Sequence, residues 1–456
     1  MAAGATQLGA SVVIVEKSKM GGDCLNTGCV PSKALIAAAK SAEGFRSSDI
    51  FGIASCPPQI DFSKVHSHVH SVISAIAPND SVERFEGLGA NVIKGSARFI
   101  DRETVEAGDF RIKARRFVVA AGSSPVAPPI NGLRVVPFLT NETVFELSSR
   151  PDHLVVVGGG PIGTEMAQAF RRLGAQVTLI ERLGLLAKDE PEAVDIVRHR
   201  LISEGIVLHE NTEITNVDRS ASGIDLSIAD AKGPGGVIHG THLLIAAGRK
   251  PNTEGLGLDA AGIETTPKGI KVNDRLRTTN KRVYAVGDIA GGPQFTHIAG
   301  YQAGIVIRNC LFGLPAKVDY SALPWVTYTD PELAHVGLTE EDARKAGSPV
   351  KVLLSPLSSN DRAQAEHAIE GIAKIVLGRA GRILGATIVA PGAGELIGLW
   401  GLAIRQRLKI GAVAEMVLPY PTLSEISRRA AGTYYTPILF SRRTHFIVRW
   451  IQRLLP

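Results

Sequence analysis

Six apolar, β-branched runs punctuate the chain: SVVIVEK (11–17), RFVVAAGSS (116–124), HLVVVGGGPIG (153–163), QVTLIER (176–182), HLLIAAGRKPN (242–252) and RVYAVGDIAGG (282–292). Most close on glycine and alternate with helical patterns. This predicts parallel strands buried on both faces, with ligands bound at their carboxyl ends, in a doubly wound α/β architecture. From about residue 317 the pattern changes. IAKIVL and ILGATIVA, joined through GRAGR, predict a hairpin in a final α+β unit whose sheet is antiparallel. At the end of the chain Phe446, Trp450, Ile451, Leu454 and Leu455 fall on one side of a helix, with Arg442, Arg449 and Arg453 among its polar positions. Such a helix packs on its own subunit or a dimer mate, or lies on an anionic membrane.

The 456 residues suffice for about three domains and a large core without covalent staples. No stretch reaches the ~18 uninterrupted apolar residues of a membrane span. The formal charge of +6 is local: residues 426–456 hold six arginines, no lysine and no acid, leaving 44 basic and 44 acidic side chains in the rest. No broad basic face exists for a duplex, so nucleic acid is not an expected partner. The start, MAAGATQLGASVVIVEK, has no basic region before its apolar stretch and does not read as a signal peptide. A cytoplasmic location is expected, where a close cysteine pair is more often catalytic or metal-binding than structural.

Gly158, Gly160 and Gly163 have G-x-G-x-x-G spacing between a strand and a helix, and a second strand ends in Glu181. The first glycine permits a tight turn, the second a close approach of pyrophosphate, the third close helix–strand packing. Glu181 is placed to take a ribose 2′-hydroxyl and to repel a 2′-phosphate, which favours NADH over NADPH, although Arg182 lies beside it. The first residues read as the end of a similar unit, a small-residue helix and a strand with Glu16 at its tip. The strand and glycine loop that precede such a helix are not in this sequence; the expectation is either translation from further upstream or a shortened unit.

GGDCLNTGCVPSKAL (21–35) sets two of only four cysteines five positions apart. Two buried small side chains are one reading of such a pair. Pro31-Ser32-Lys33-Ala34-Leu35 opens a helical pattern, so Cys29 is expected near a helix N-terminus that stabilises a thiolate. Cys56 and Cys310 are isolated and no C-x-x-C or H-x-x-x-H spacing accompanies the pair, so no metal site is expected.

These motifs, together with VVAAGSSP, VVGGGPIGTEMAQ, AAGRKPN, TTNKRVYAVGDIAGG and ILGATIVAPGAGELI in this order, resemble the FAD-containing pyridine nucleotide-disulfide oxidoreductases over nearly the whole chain. That family includes dihydrolipoamide dehydrogenase, mercuric reductase and glutathione reductase. The resemblance implies two doubly wound dinucleotide-binding domains and a C-terminal α+β dimerisation domain. The FAD domain would be 1–145, completed by 272–316; the NAD(P) domain 146–271; and the dimerisation domain, with its basic amphipathic tail, 317–456. It implies a homodimer that binds FAD and NAD, with NADP an alternative. Cys29 would face the flavin and Cys24 would meet the substrate. Lys33 and Glu165 would form a pair beside the flavin. Glu16, Gly122, Asp288 and Thr296 would hold FAD, while Gly158, Gly160, Gly163, Glu181 and Gly248 would belong to the nucleotide sites.

Family members that reduce disulfides carry His-Pro-Thr-x-x-Glu near the C-terminus; here the stretch is LPYPTLSEISRR, with Tyr420 in the histidine's place and Glu425 retained. A phenol with an ordinary pKa of ~10 is a poor base near neutrality. Tyrosine here is similar to mercuric reductase, although that enzyme's C-terminal cysteine pair is not present. The expected function is electron transfer from NAD(P)H through FAD and a Cys24–Cys29 disulfide to a small molecule or metal ion, mercuric reductase-like first and dihydrolipoamide dehydrogenase-like second. A relative that no longer holds FAD is the third reading.

Overall fold

The structure, a computed structural model, describes residues 1–231, 233–347 and 349–455. Each of the six apolar runs forms a strand: Val12–Glu16, Phe117–Val119, His153–Val157, Gln176–Ile180, His242–Ile245 and Val283–Ala285. The central unit is built on a four-stranded parallel sheet in the order 207–209, 176–180, 153–157, 242–245. Leu154, Val155 and Val156 are fully buried, as strands covered on both faces must be. The helices Pro161–Arg172 and Pro191–Ser203 make the crossovers.

In the first unit Val12–Glu16 runs parallel to Ala90–Lys94, and Phe117–Val119 parallel to Val283–Ala285. Among the described residues neither pair gains a third strand, and residues of Val12–Glu16 and Phe117–Val119 line one shared cleft. Leu258, Ala261, Ile263 and Ile270 bury against Phe99, Val119, Val283 and Ile289. Hydrophobic packing thus returns to the first unit before the boundary expected at 272, because residues 256–270 close its core. Two small antiparallel sheets, 97–113 and 213–240, escaped the sequence reading.

The C-terminal unit is a five-stranded antiparallel sheet in the order 324–327, 332–337, 383–390, 372–377, 351–356. The expected hairpin is its centre. The helix Ala393–Arg405 covers one face and buries Trp400 completely. The tail helix, Arg442–Leu454, forms as its periodicity predicts, but it buries none of its residues. Packing on its own subunit is therefore overturned: Phe446 and Trp450 stay exposed at 71% and 58%. Among the described residues no helix is long and apolar enough to cross a membrane.

Candidate active site

The cysteine loop is a short helix, Gly22–Asn26, followed directly by the helix Cys29–Arg46. Gly28 allows the return, since a Cβ there would stand 2.9 Å from the Asp23 carbonyl oxygen. Asn141 pins the loop by donating to Asp23 Oδ1 at 3.0 Å and to the Thr27 carbonyl at 3.1 Å. Arg249 Nη2 lies 3.1 Å from Asp23 Oδ2, and the same guanidinium donates to Ser123 and Asn141. Neither Asn141 nor Arg249 stood out in the sequence. Arg249 lay inside a quoted motif, and an arginine directly after a strand-ending glycine was the only sign of it.

Cys24 and Cys29 are free thiols in this state, close enough to perturb each other's ionisation. They are unlike. The Cys24 hydrogen bond brings the Cys29 pKa down from 9.0 to about 6; burial opposes this, while the Thr296 hydroxyl and the Lys33 charge assist. The same contact and burial push the Cys24 thiol up. Cys29 is the first residue of its helix, and Thr296, first residue of the helix Thr296–Leu311, places Oγ1 at 3.3 Å from Cys29 Sγ. Two positive helix ends therefore converge on one sulfur, an arrangement that favours negative charge on Cys29 over Cys24.

The cysteine helix packs against the helix Pro161–Arg172 of the central unit. That contact brings Lys33 Nζ to 2.9 Å from Glu165 Oε2. The other Glu165 oxygen accepts the Tyr328 N–H at 2.9 Å, and the Lys33 ammonium stands 4.2 Å from the Tyr328 ring centroid. Tyr328, from the C-terminal sheet region, is a further site residue that local sequence did not mark.

Glu16 and Asp288 follow or end the strands of the first unit, and Gly122 (φ +65°) ends the turn after Phe117–Val119. Asp288 Oδ2 accepts from Ser123, and Glu16 Oε1 accepts the Ser18 N–H at 2.8 Å. All three line, with Cys24, Cys29, Lys33, Glu165 and Thr296, a continuous cleft of about 3260 Å³. A Cβ on Gly122 would meet no protein atom within 4 Å, so the backbone there is open to a ligand. Carboxylates for hydroxyls, a bare turn and an ammonium around one cleft fit FAD.

The second nucleotide loop opens on the same cleft through Gly158, Gly160, Glu181 and Gly248. Gly158 has φ +114° and leaves no room for a Cβ, which would stand 2.5 Å from the Ala246 carbonyl oxygen. A Cβ on Gly163 would stand 1.9 Å from the Gly158 carbonyl oxygen, whereas one on Gly160 would project into empty space at the helix N-terminus. Glu181 Oε2 accepts the Gly159 N–H at 2.6 Å and Oε1 the Leu183 N–H at 2.8 Å, which fixes the carboxylate on the loop. Gly248 (φ +135°) accepts the Val126 N–H through its carbonyl.

Tyr420 and Glu425 do not line this cleft. Tyr420 is 69% exposed and donates to Asp361 Oδ2 at 3.0 Å, a bond that pushes its phenol above the ordinary value of 10.0. Glu425 is buried, and its Oε2 has no hydrogen-bond partner.

The chain matches the pyridine nucleotide-disulphide oxidoreductase family over residues 1–303 and that family's dimerisation domain over 323–431. It is 36% identical over 433 residues to a mercuric reductase of Lysinibacillus sphaericus, covering 94% of this chain and 79% of the relative. It is also 36% identical over 435 residues to a dihydrolipoyl dehydrogenase of Geobacillus stearothermophilus, covering 94% and 92%. Among solved structures, the HOCl-induced flavoprotein disulfide reductase RclA of Escherichia coli superposes with a TM-score of 0.85 at 25% identity, covering 94% of this chain and 96% of that one. The dimerisation domain supports a homodimer. With these matches over its cysteine loop, glycine loop and C-terminal sheet, the chain belongs to the pyridine nucleotide-disulphide oxidoreductases, enzymes that bind FAD and NAD(P)H.

Proposed function

We propose that this enzyme moves electrons from NADH, through FAD and the Cys24–Cys29 pair, to a thiophilic metal ion, in the manner of a mercuric reductase. The observation that carries the reading is the group in the base's place: Tyr420 is exposed and its hydroxyl is committed to Asp361 Oδ2 at 3.0 Å, while Cys29 Sγ, at the start of one helix and 3.3 Å from Thr296 Oγ1 at the start of another, is the sulfur placed to carry negative charge. Exchange with a disulfide needs Cys24 as a thiolate and hence a base. The residue in the base's place is Tyr420, tied to Asp361 and pushed up itself. A thiophilic metal ion needs no such base, because coordination deprotonates a thiol outright. FAD, when bound, supplies the hydride acceptance and two-electron transfer that no side chain provides. Glu16, Gly122, Asp288 and the amides at Thr296 would hold it, and Lys33, paired with Glu165, places a positive charge at its site. Glu181, fixed on the glycine loop, favours NADH by receiving a ribose hydroxyl and repelling a phosphate.

Only four cysteines in 456 residues, two of them a close pair and the other two isolated, support a reducing, cytoplasmic setting. The unburied tail helix, with four arginines and no acid, supports contact with an anionic membrane surface. The test is anaerobic NADH oxidation by the yellow holoenzyme with Hg(II) in excess thiol, beside the same assay with lipoamide. Turnover with Hg(II) that disappears in Cys24→Ser and Cys29→Ser is expected. Faster turnover with lipoamide would reverse the assignment and make dihydrolipoamide the substrate.

A further inference from the structure

We infer that His66, His70 and Glu146 form a binding site for one divalent first-row transition ion of the zinc(II) class, separate from the cysteine pair. His66 and His70, in an H-x-x-x-H spacing that lies well away from the cysteine pair, are one turn apart on the helix Phe62–Ile76, and their rings stand 4.2 Å apart between centroids. Glu146 ends the short 3-10 turn Val144–Glu146. One ligand atom from each residue lies within 4.8 Å of the others.

His70 Nε2 carries the argument furthest. It is shut off from solvent and has no hydrogen-bond partner. Its nearest acid oxygen, Glu146 Oε2, is 3.7 Å away, too far for a hydrogen bond. Two ligand atoms held ~2.1 Å from a tetrahedral ion stand about 3.4 Å apart, so the 3.7 Å between His70 Nε2 and Glu146 Oε2 leaves room for an ion between them. Both supports are rigid: Phe62 and Val69 anchor the helix, and Val144 and Phe145 the turn, in one hydrophobic core. Metal sites depend on that kind of support.

The donor set defines the ion. Two imidazoles and a carboxylate suit Zn(II), Co(II), Ni(II) or Cu(II); they are poor ligands for soft ions that seek thiolates, and offer too few oxygens for Ca(II). Glu146 is 58% exposed at its side chain, which leaves the remaining position open to water. Bound there, the ion would clamp the helix of the first unit to the segment that leads into the central sheet at His153.

The oxidised holoenzyme, with Cys24 and Cys29 closed as a disulfide, is titrated with Co(II) and read by its visible d–d absorption, followed by displacement with Zn(II). One Co(II) per chain is expected, without a thiolate-to-cobalt charge-transfer band. Binding should weaken more than about tenfold in His70→Asn and in Glu146→Gln, with NADH-dependent turnover unchanged. Glu146→Gln alters an exposed side chain and keeps the test meaningful if His70→Asn folds poorly. Absence of saturable Co(II) binding, a thiolate band, or binding that Glu146→Gln leaves intact would each overturn the site.

Discussion

Replacing Thr296 by valine removes one hydroxyl from the thiolate while keeping the side chain's shape. In the native site Cys29 titrates at about 6; Cys24 is the largest cause, burial opposes it, and Thr296 Oγ1 at 3.3 Å is the next stabilising group. A hydrogen bond to a charged group contributes about 1.5–3 kcal/mol. At about 1.4 kcal/mol per pKa unit, its loss raises Cys29 by about one to two units, to about 7–8. At pH 7 the thiolate fraction then falls from about nine-tenths to between about one half and one tenth.

The rate of iodoacetamide alkylation of the reduced enzyme, followed on the Cys29 peptide across pH 5–9, reads this directly. Thr296→Ser retains the donor and should titrate like the native enzyme. Cys24→Ala removes the larger contribution and should raise Cys29 further than Thr296→Val does. If Thr296→Val titrates within about 0.3 units of the native enzyme, the hydroxyl does not stabilise the sulfur and the assignment of the thiolate to this helix junction fails.

Asp189 accepts a hydrogen bond from Trp325 Nε1 at 2.7 Å, and burial raises its carboxyl from 3.8 to about 6. A raised acid binds more protons folded than unfolded, so its penalty grows as pH rises from about 4 and is complete above about 6. Asp189→Asn, which still accepts from Trp325, should stabilise the fold by up to about 3 kcal/mol at pH 7–8 and by nothing below about pH 4; urea midpoints at the two pH values check this. Lys374 is 2% exposed at its side chain and meets Glu190, Glu192 and Glu340 within 3 Å, with Glu190 3% exposed. Lys374→Met should cost about 3–5 kcal/mol by stranding a buried carboxylate, and adding Glu190→Gln should recover part of it in the same unfolding assay. Deleting residues 442–456 should abolish sedimentation with vesicles containing phosphatidylserine and leave NADH-dependent turnover unchanged; binding that persists would place the membrane contact elsewhere.

Much of the architecture was legible because it rests on local chemistry. Buried parallel strands must be apolar throughout, and where such a strand turns tightly into a loop the next residue is often a glycine, so the six runs announced themselves. The sheet at 97–113 did not, since strands such as Ala97–Phe99 and Phe110–Lys113 are short and half exposed, and in the sheet at 213–240 the longer strands carry polar residues on one face or, in Gly233–Gly240, four glycines and a proline. Residues 256–270 were hard to place for a related cause: they form only two-residue strands, and their place in the first core depends on contacts with Phe99 and Ile289 far away in sequence. The tail's periodicity gave its helix correctly but could not show that none of its residues is buried among the described residues.

The site divides along the same line. A helix starting at Cys29 is a local property, readable from Pro31 and Ser32 onward, whereas the agents that set the sulfur's charge arrive from distant segments. Thr296 comes from the start of another helix, Arg249 and Asn141 brace the loop from the strands' far ends, and Tyr328 holds Glu165 from the C-terminal unit. Tyr420 shows the limit most sharply. Its position in a motif invited comparison with a base, but its hydroxyl is spent on Asp361, 59 residues away, and that partner is what keeps it protonated. A cysteine pair whose charge gathers on Cys29, with no base in Tyr420's place, is poorly arranged for proton exchange with a disulfide. It is better arranged for the acceptor proposed above, a thiophilic metal ion whose own charge releases the Cys24 proton.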